Sequence, residues 1–160
     1  MWRICSANLV NLDMKYRSFL LVILFQLWVF GPAKAQVKAD DIVGIWQTHG
    51  DKPAKIQIYK TGEQYHGKIV FLQFPTENGK PMVDKNNPDK SRQAEPLIGL
   101  ELLSGFVFDK DEWNSGHIYD PESGKTYSCT ISLKDPHTLK VRGYVGISLF
   151  GRTEVWTRVE

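Results

Sequence analysis

The chain has 160 residues, with twenty Lys and Arg against eighteen Asp and Glu, 42% hydrophobic and 12% aromatic residues. The length fits one ordinary domain with one core, and the near balance of charge argues against a nucleic-acid-binding surface or an electrostatic grip on anionic membranes. Two cysteines, Cys5 and Cys129, are too few for a disulfide framework.

From the amino end, Lys15 and Arg17 precede an uncharged, mostly apolar run of 13 residues at 18–30 (SFLLVILFQLWVF). Gly31-Pro32 breaks the run, and Ala33-Lys34-Ala35 supplies a small-x-small pattern. Together these predict a secretory signal peptide over 1–35, cleaved after Ala35. The run is shorter than the ~18–20 residues that cross a bilayer as a helix, so no stable membrane anchor is expected after cleavage. Residues 1–13 do not extend the basic region, and Met14 reads as an alternative translation start. The leader carries four basic residues (Arg3, Lys15, Arg17, Lys34) and one acid (Asp13), leaving sixteen basic and seventeen acidic side chains in a single domain over 36–160. The expected location is periplasmic or secreted. Cys5 departs with the leader, so Cys129 has no internal disulfide partner and reads as a small buried hydrophobe on an apolar strand face.

The domain is patterned with period 2. Ala54, Ile56 and Ile58 alternate with Lys55 and Gln57, and Tyr65, Gly67, Ile69 and Phe71 share one phase. Tyr127, Cys129, Ile131 and Leu133 alternate with Thr126, Ser128, Thr130 and Ser132. Thr153, Val155, Thr157 and Val159 alternate with Arg152, Glu154, Trp156 and Arg158. Eight strands follow, over 43–49, 54–60, 64–72, 98–108, 112–119, 125–133, 138–145 and 152–159. Turn residues such as Thr61-Gly62, Asp109-Lys110-Asp111 and Asp135-Pro136 separate them. The predicted fold is all-β: an eight-stranded antiparallel up-and-down β-barrel with one long, partly helical loop. That loop, 73–96, is polar and proline-punctuated, with Asn87-Pro88 placed to cap a short helix over 89–93. Its length suits a lid or plug near a rim.

Chemistry-bearing motifs are sparse. Residues 84–89 (DKNNPD) fail as a calcium loop, with Pro88 at the fifth position and Asp89 at the sixth, and read as a solvated acidic turn. The four histidines lack zinc spacing, so no metal is expected. No G-x-S-x-G, phosphate-binding or dinucleotide-binding motif occurs, and no catalytic residue or cofactor is assigned. Trp113, His117 and Tyr119 share one phase of the fifth predicted strand, and Tyr127 lies on the apolar face of the sixth. Facing inward, they would line an aromatic pocket with a few polar tips; a filled core of the same residues is the alternative. The apolar, glycine-containing stretch 145–152 replaces an ordinary polar turn, and Arg152 after it is either a carboxylate-binding residue or a strand-end charge. Gly44-Ile45-Trp46 opens the first strand and Arg158 closes the last, a pairing suited to sealing a barrel base by cation–π contact.

Specific stretches go further. Ile42-Val43-Gly44-Ile45-Trp46, Asp84-Lys85-Asn86-Asn87-Pro88-Asp89, Trp113-Asn114-Ser115-Gly116-His117-Ile118-Tyr119-Asp120-Pro121, Arg142-Gly143-Tyr144-Val145-Gly146 and Trp156-Thr157-Arg158 are among them. Through these the domain resembles the bacterial exported family known as domain of unknown function 2147 (DUF2147). The resemblance implies a lipocalin-like exported protein of Gram-negative bacteria and carries over no catalytic residue. The expectation is a non-enzymatic barrel binding a small apolar or amphipathic ligand through Trp113, His117, Tyr119, Tyr127 and Arg152. The alternative is an envelope protein-interaction module with a filled barrel, making contact through 73–96 and 147–150.

Overall fold

Period-2 alternation becomes eight long antiparallel strands. The structure, a computed structural model, describes residues 36–159, so the leader expected over 1–35 lies outside the described residues. A 3₁₀ turn, Ala39–Ile42, precedes β1 (Gly44–Gln47), β2 (Ala54–Thr61) and β3 (Gln64–Leu72). The long connection contains a small hairpin, β4 (Thr76–Glu77) and β5 (Lys80–Pro81), and a 3₁₀ turn, Lys90–Arg92. Then come β6 (Glu101–Asp109), β7 (Glu112–Asp120), β8 (Lys125–Asp135), β9 (Thr138–Tyr144), a 3₁₀ turn Ser148–Phe150 and β10 (Gly151–Val159).

The eight long strands form a closed barrel in the order β1-β10-β9-β8-β7-β6-β3-β2. Closure comes from β1 pairing with β10, Trp46 standing opposite Arg158. Every edge of the barrel sheet is thereby paired, which removes the aggregation hazard of open strands. The hairpin β4–β5 was not among the expected strands. Its two-residue turn is Asn78-Gly79, with φ of 53° and 76°, the left-handed pair a tight hairpin turn requires. The short helix is also smaller than expected. Asp89 caps it by accepting from the Ser91 amide at 2.9 Å, because Asn87 is engaged with Asp84 and Asp89.

Two bulges change which residues face inward. Ile56 stands opposite Ile69 but Lys55 opposite Phe71, so one extra residue sits in β3. Phe71 therefore turns outward, against the expected shared phase with Ile69, and the Lys55 ammonium lies 5.2 Å from its ring centroid. In β7, Trp113 faces Ile131 while Gly116 faces Cys129, and Ser115 takes a φ of 61°. This bulge reverses the phase after Trp113. Gly116 then lies against Phe106, whose ring would stand 2.3–2.5 Å from any added Cβ. Only glycine fits that contact.

Chain direction sorts the connections to two ends. The turns β2–β3, β6–β7 and β8–β9 and the Ala39–Ile42 turn share one end; 48–53, 73–100, 121–124 and 145–150 share the other. Trp46, Tyr65, Phe106, Trp113 and Leu139 fill the first end, all nearly inaccessible to solvent.

Candidate functional site

The base of the barrel is sealed by the Ala39–Ile42 turn. The Trp46 indole N–H donates to the Ile42 carbonyl at 2.8 Å, and the Trp113 indole N–H to the Ala39 carbonyl at 3.0 Å. The Tyr65 hydroxyl donates to Asp40 Oδ1 at 2.5 Å. Arg158 lies over the Trp46 ring, its Cζ 4.1 Å from the centroid. Its guanidinium donates to the carbonyls of Pro136 (2.9 Å), Val43 (3.0 Å) and Asp41. Planar, multi-donor geometry lets one arginine satisfy three carbonyls and cover an aromatic face at once.

The opposite half is hollow. A cavity of about 1000 Å³ opens at that end, its deep lining formed by Ile56, Ile69, Leu102, Val141 and Trp156. The barrel interior is thus packed at one end and hollow at the other. In β10, Trp156 and Glu154 stand opposite the buried Leu139 and Val141 of β9 and share their inward phase, while Val155 faces outward. Glu154 and Arg152 share the phase of Trp156 and line the cavity above it. The Trp156 indole N–H donates to Glu154 Oε2 at 3.3 Å, and Arg152 Nη2 lies 3.7 Å from Glu154 Oε1.

Much of the rim is built by the long connection, which is pinned rather than loose. Asp84 is fully buried; it accepts from Asn87 Nδ2 at 2.7 Å and from the Tyr119 hydroxyl at 2.8 Å. Asn86 Nδ2 donates to the carbonyls of Pro121 and Glu122 at 3.2 and 2.8 Å, tying the connection to the β7–β8 turn. The reading of 84–89 as a solvated turn is therefore corrected: Asp84 and Asn87 are buried, because their side chains are hydrogen-bonded anchors. Burial, reinforced by the bond to Asp84, pushes the Tyr119 phenol up to about 12. Among the described residues no group of three His, Cys, Asp or Glu side chains is placed to hold a metal.

The five expected site residues divide. Tyr119, Tyr127 and Arg152 line the cavity. Trp113 points inward but packs in the closed base, bonded to Ala39. His117 is exposed on the outer wall, because the bulge at Ser115 reverses the alternation between it and Trp113. Cys129 is fully buried, and desolvation pushes its thiol up to about 12. Glu154 was missed as a lining residue, although its shared phase with Trp156 was the available signal. Phe150 and Val145, from the β9–β10 connection, also line the mouth while remaining about three-quarters exposed.

Comparisons agree with this architecture. A solved structure of similar fold is the Helicobacter pylori protein HP1028, described as belonging to the lipocalin family. The two superimpose with a TM-score of 0.67 at 20% sequence identity, over 74% of this chain and 83% of the other. No curated protein matches. The family described as "Uncharacterized protein conserved in bacteria (DUF2147)" matches residues 44–158, which span the barrel from β1 to β10. The chain belongs to that family, and its fold is a lipocalin-like eight-stranded barrel.

Proposed function

We propose that the protein is a non-enzymatic carrier or receptor that holds a small apolar or amphipathic molecule in the open half of the barrel. The observation that carries this reading is the cavity itself: about 1000 Å³, closed at the base, open at one mouth, with aliphatic and aromatic side chains at depth and polar ones toward the mouth. That volume sits at the upper end of the ~300–1,000 Å³ usual for small-molecule sites. Affinity would come from apolar burial, with Tyr127, Tyr119 and Arg152 orienting the ligand from the walls and rim. The leader pattern supports a periplasmic or secreted location. No cofactor is invoked.

The test is binding of N-phenyl-1-naphthylamine, an uncharged probe that fluoresces in apolar surroundings. Saturable one-to-one binding, abolished by Ala54→Trp, is the expected result; Ala54 lines the cavity, and an indole there occupies it. Absence of probe binding by the folded wild type would overturn the reading. Where the probe binds, native mass spectrometry of protein isolated without added ligand would identify any cargo.

A second reading, an envelope interaction module, is supported by the β9–β10 connection. Val145, Ile147, Leu149 and Phe150 are all strongly exposed there, and Arg142 holds the connection by donating to the carbonyls of Ser148 (2.8 Å) and Leu149 (3.2 Å). Replacing Ile147 and Leu149, which are exposed but do not line the cavity, by Ser would then abolish capture of an envelope partner while leaving probe binding intact.

A further inference from the structure

The hollow half of the barrel is apolar at depth but not electrically neutral. Five carboxylates line it and its mouth, against three Lys or Arg side chains. Lys52 pairs with Glu122 at 2.7 Å, Lys85 with Glu77 at 3.0 Å, and Arg152 with Glu154 at 3.7 Å. Asp51 and Asp120 are left over, so the lining carries an excess of two negative charges. A concave, low-dielectric wall focuses such a field on whatever enters.

Glu154 is the deepest of these acids. It is the neighbour, on the inner face of β10, of the fully buried Trp156. The indole N–H fixes one oxygen of its carboxylate, and its side chain remains 45% exposed, toward the cavity. Arg152, by contrast, is 87% exposed and stands nearer the mouth, where water screens it. An anionic head seeking Arg152 meets the Glu154 carboxylate beside it. A cationic head meets a carboxylate acceptor held in place by the Trp156 N–H.

Building on the ligand-binding reading above, we infer that the cavity selects amphipathic amines: molecules with an apolar tail for the deep lining and a cationic ammonium head for Glu154. Glu154 is the specificity-determining residue, and Arg152 is its ion-pair partner.

The experiment compares decylamine, decanol and decanoate by displacement of N-phenyl-1-naphthylamine from the full mature chain at neutral pH and low salt. The three share one tail, so their ratios isolate the head group. The wild type is expected to bind decylamine about tenfold more tightly than decanol, and decanoate more weakly than either. Glu154→Gln, which keeps an oxygen for the Trp156 N–H, is expected to bring the amine-to-alcohol ratio to about one. Arg152→Gln is expected to preserve or raise it. Preference for decanoate, or an amine-to-alcohol ratio unchanged in Glu154→Gln, overturns the inference while leaving a ligand-binding cavity in place. Failure of all three compounds and of the probe to bind the folded protein overturns the ligand-binding reading as well.

Discussion

The Arg158 guanidinium covers the Trp46 indole at 4.1 Å while donating to three backbone carbonyls, from the Ala39–Ile42 side and from the β8–β9 turn. One side chain from the last strand thus ties together the strand that opens the barrel, the turn beneath it and a neighbouring hairpin. Desolvation lowers its affinity for a proton without removing the charge, since arginine titrates far above any working pH. Gly44 makes the approach possible: at a φ of 144°, an added Cβ would stand 2.6 Å from Arg158 Nη1.

Replacing Arg158 by Gln is expected to destabilise the domain by about 2–3 kcal/mol, from lost cation–π contact and unsatisfied carbonyls. Arg158→Lys restores the charge but not the fork, and should recover less than half of the loss. Urea unfolding followed by tryptophan fluorescence reads both variants. Equal stability of Arg158→Lys and wild type would show that charge alone suffices.

Trp113 belongs to the packed base, and its truncation separates the two halves of the barrel. Trp113→Ala should cost ~3–5 kcal/mol, as for other fully buried large aromatics. Probe affinity of the molecules that remain folded should be unchanged, because the cavity does not include this side chain. A selective fall in affinity with little loss of stability would mean that the cavity extends to the base in solution.

Tyr119 anchors the long connection through a fully buried carboxylate. Tyr119→Phe removes one of the two side-chain donors to Asp84 and is expected to cost about 1–3 kcal/mol. Hydrogen exchange should quicken over 82–97, where the Asp84 and Leu97 amides donate within the connection. An unchanged exchange pattern would assign the anchoring to Asn86 and Asn87 alone.

The same groups shape the response to alkali. Burial first, then the bond to Asp84, raises the Tyr119 phenol from 10.0 to about 12; the bond to Glu101 raises Tyr59 to about 12, and desolvation raises Cys129 from 9.0 to about 12. Each is higher folded than unfolded, so its stabilisation is complete below the unfolded value and is lost as pH rises through the folded one. Stability should therefore fall between pH 9 and 12, and Tyr119→Phe should flatten the part above 10. At about pH 8, Cys129 should resist an aromatic disulfide reagent in the folded protein and react fully in urea. Rapid labelling without denaturant would contradict its burial.

The alternation of side chains made the eight strands, their antiparallel course and the G-x-W…Arg base legible in the sequence. Each depends only on local periodicity, turn residues and two complementary residue types. The Asn78-Gly79 turn carries the same kind of local signal, but its strands are only two residues long and show no period.

The interior was not legible, for a geometric reason. A bulge adds one residue and inverts every side chain beyond it, which turned His117 and Phe71 outward although Trp113 and Ile69 point in. Burial of Asp84 depends on Tyr119, 35 positions away, and no local pattern carries that contact. Depth along the barrel decides whether an inward residue packs in the base, as Trp113 does, or faces empty space, as Glu154 does. Sequence by itself determined the number and order of the barrel strands and the pairing that closes the base, since these follow from period and chain direction. Only the tertiary structure decided the hollow half, its acidic lining and its pinned rim, because each arises from register shifts and long-range contacts that no single stretch encodes.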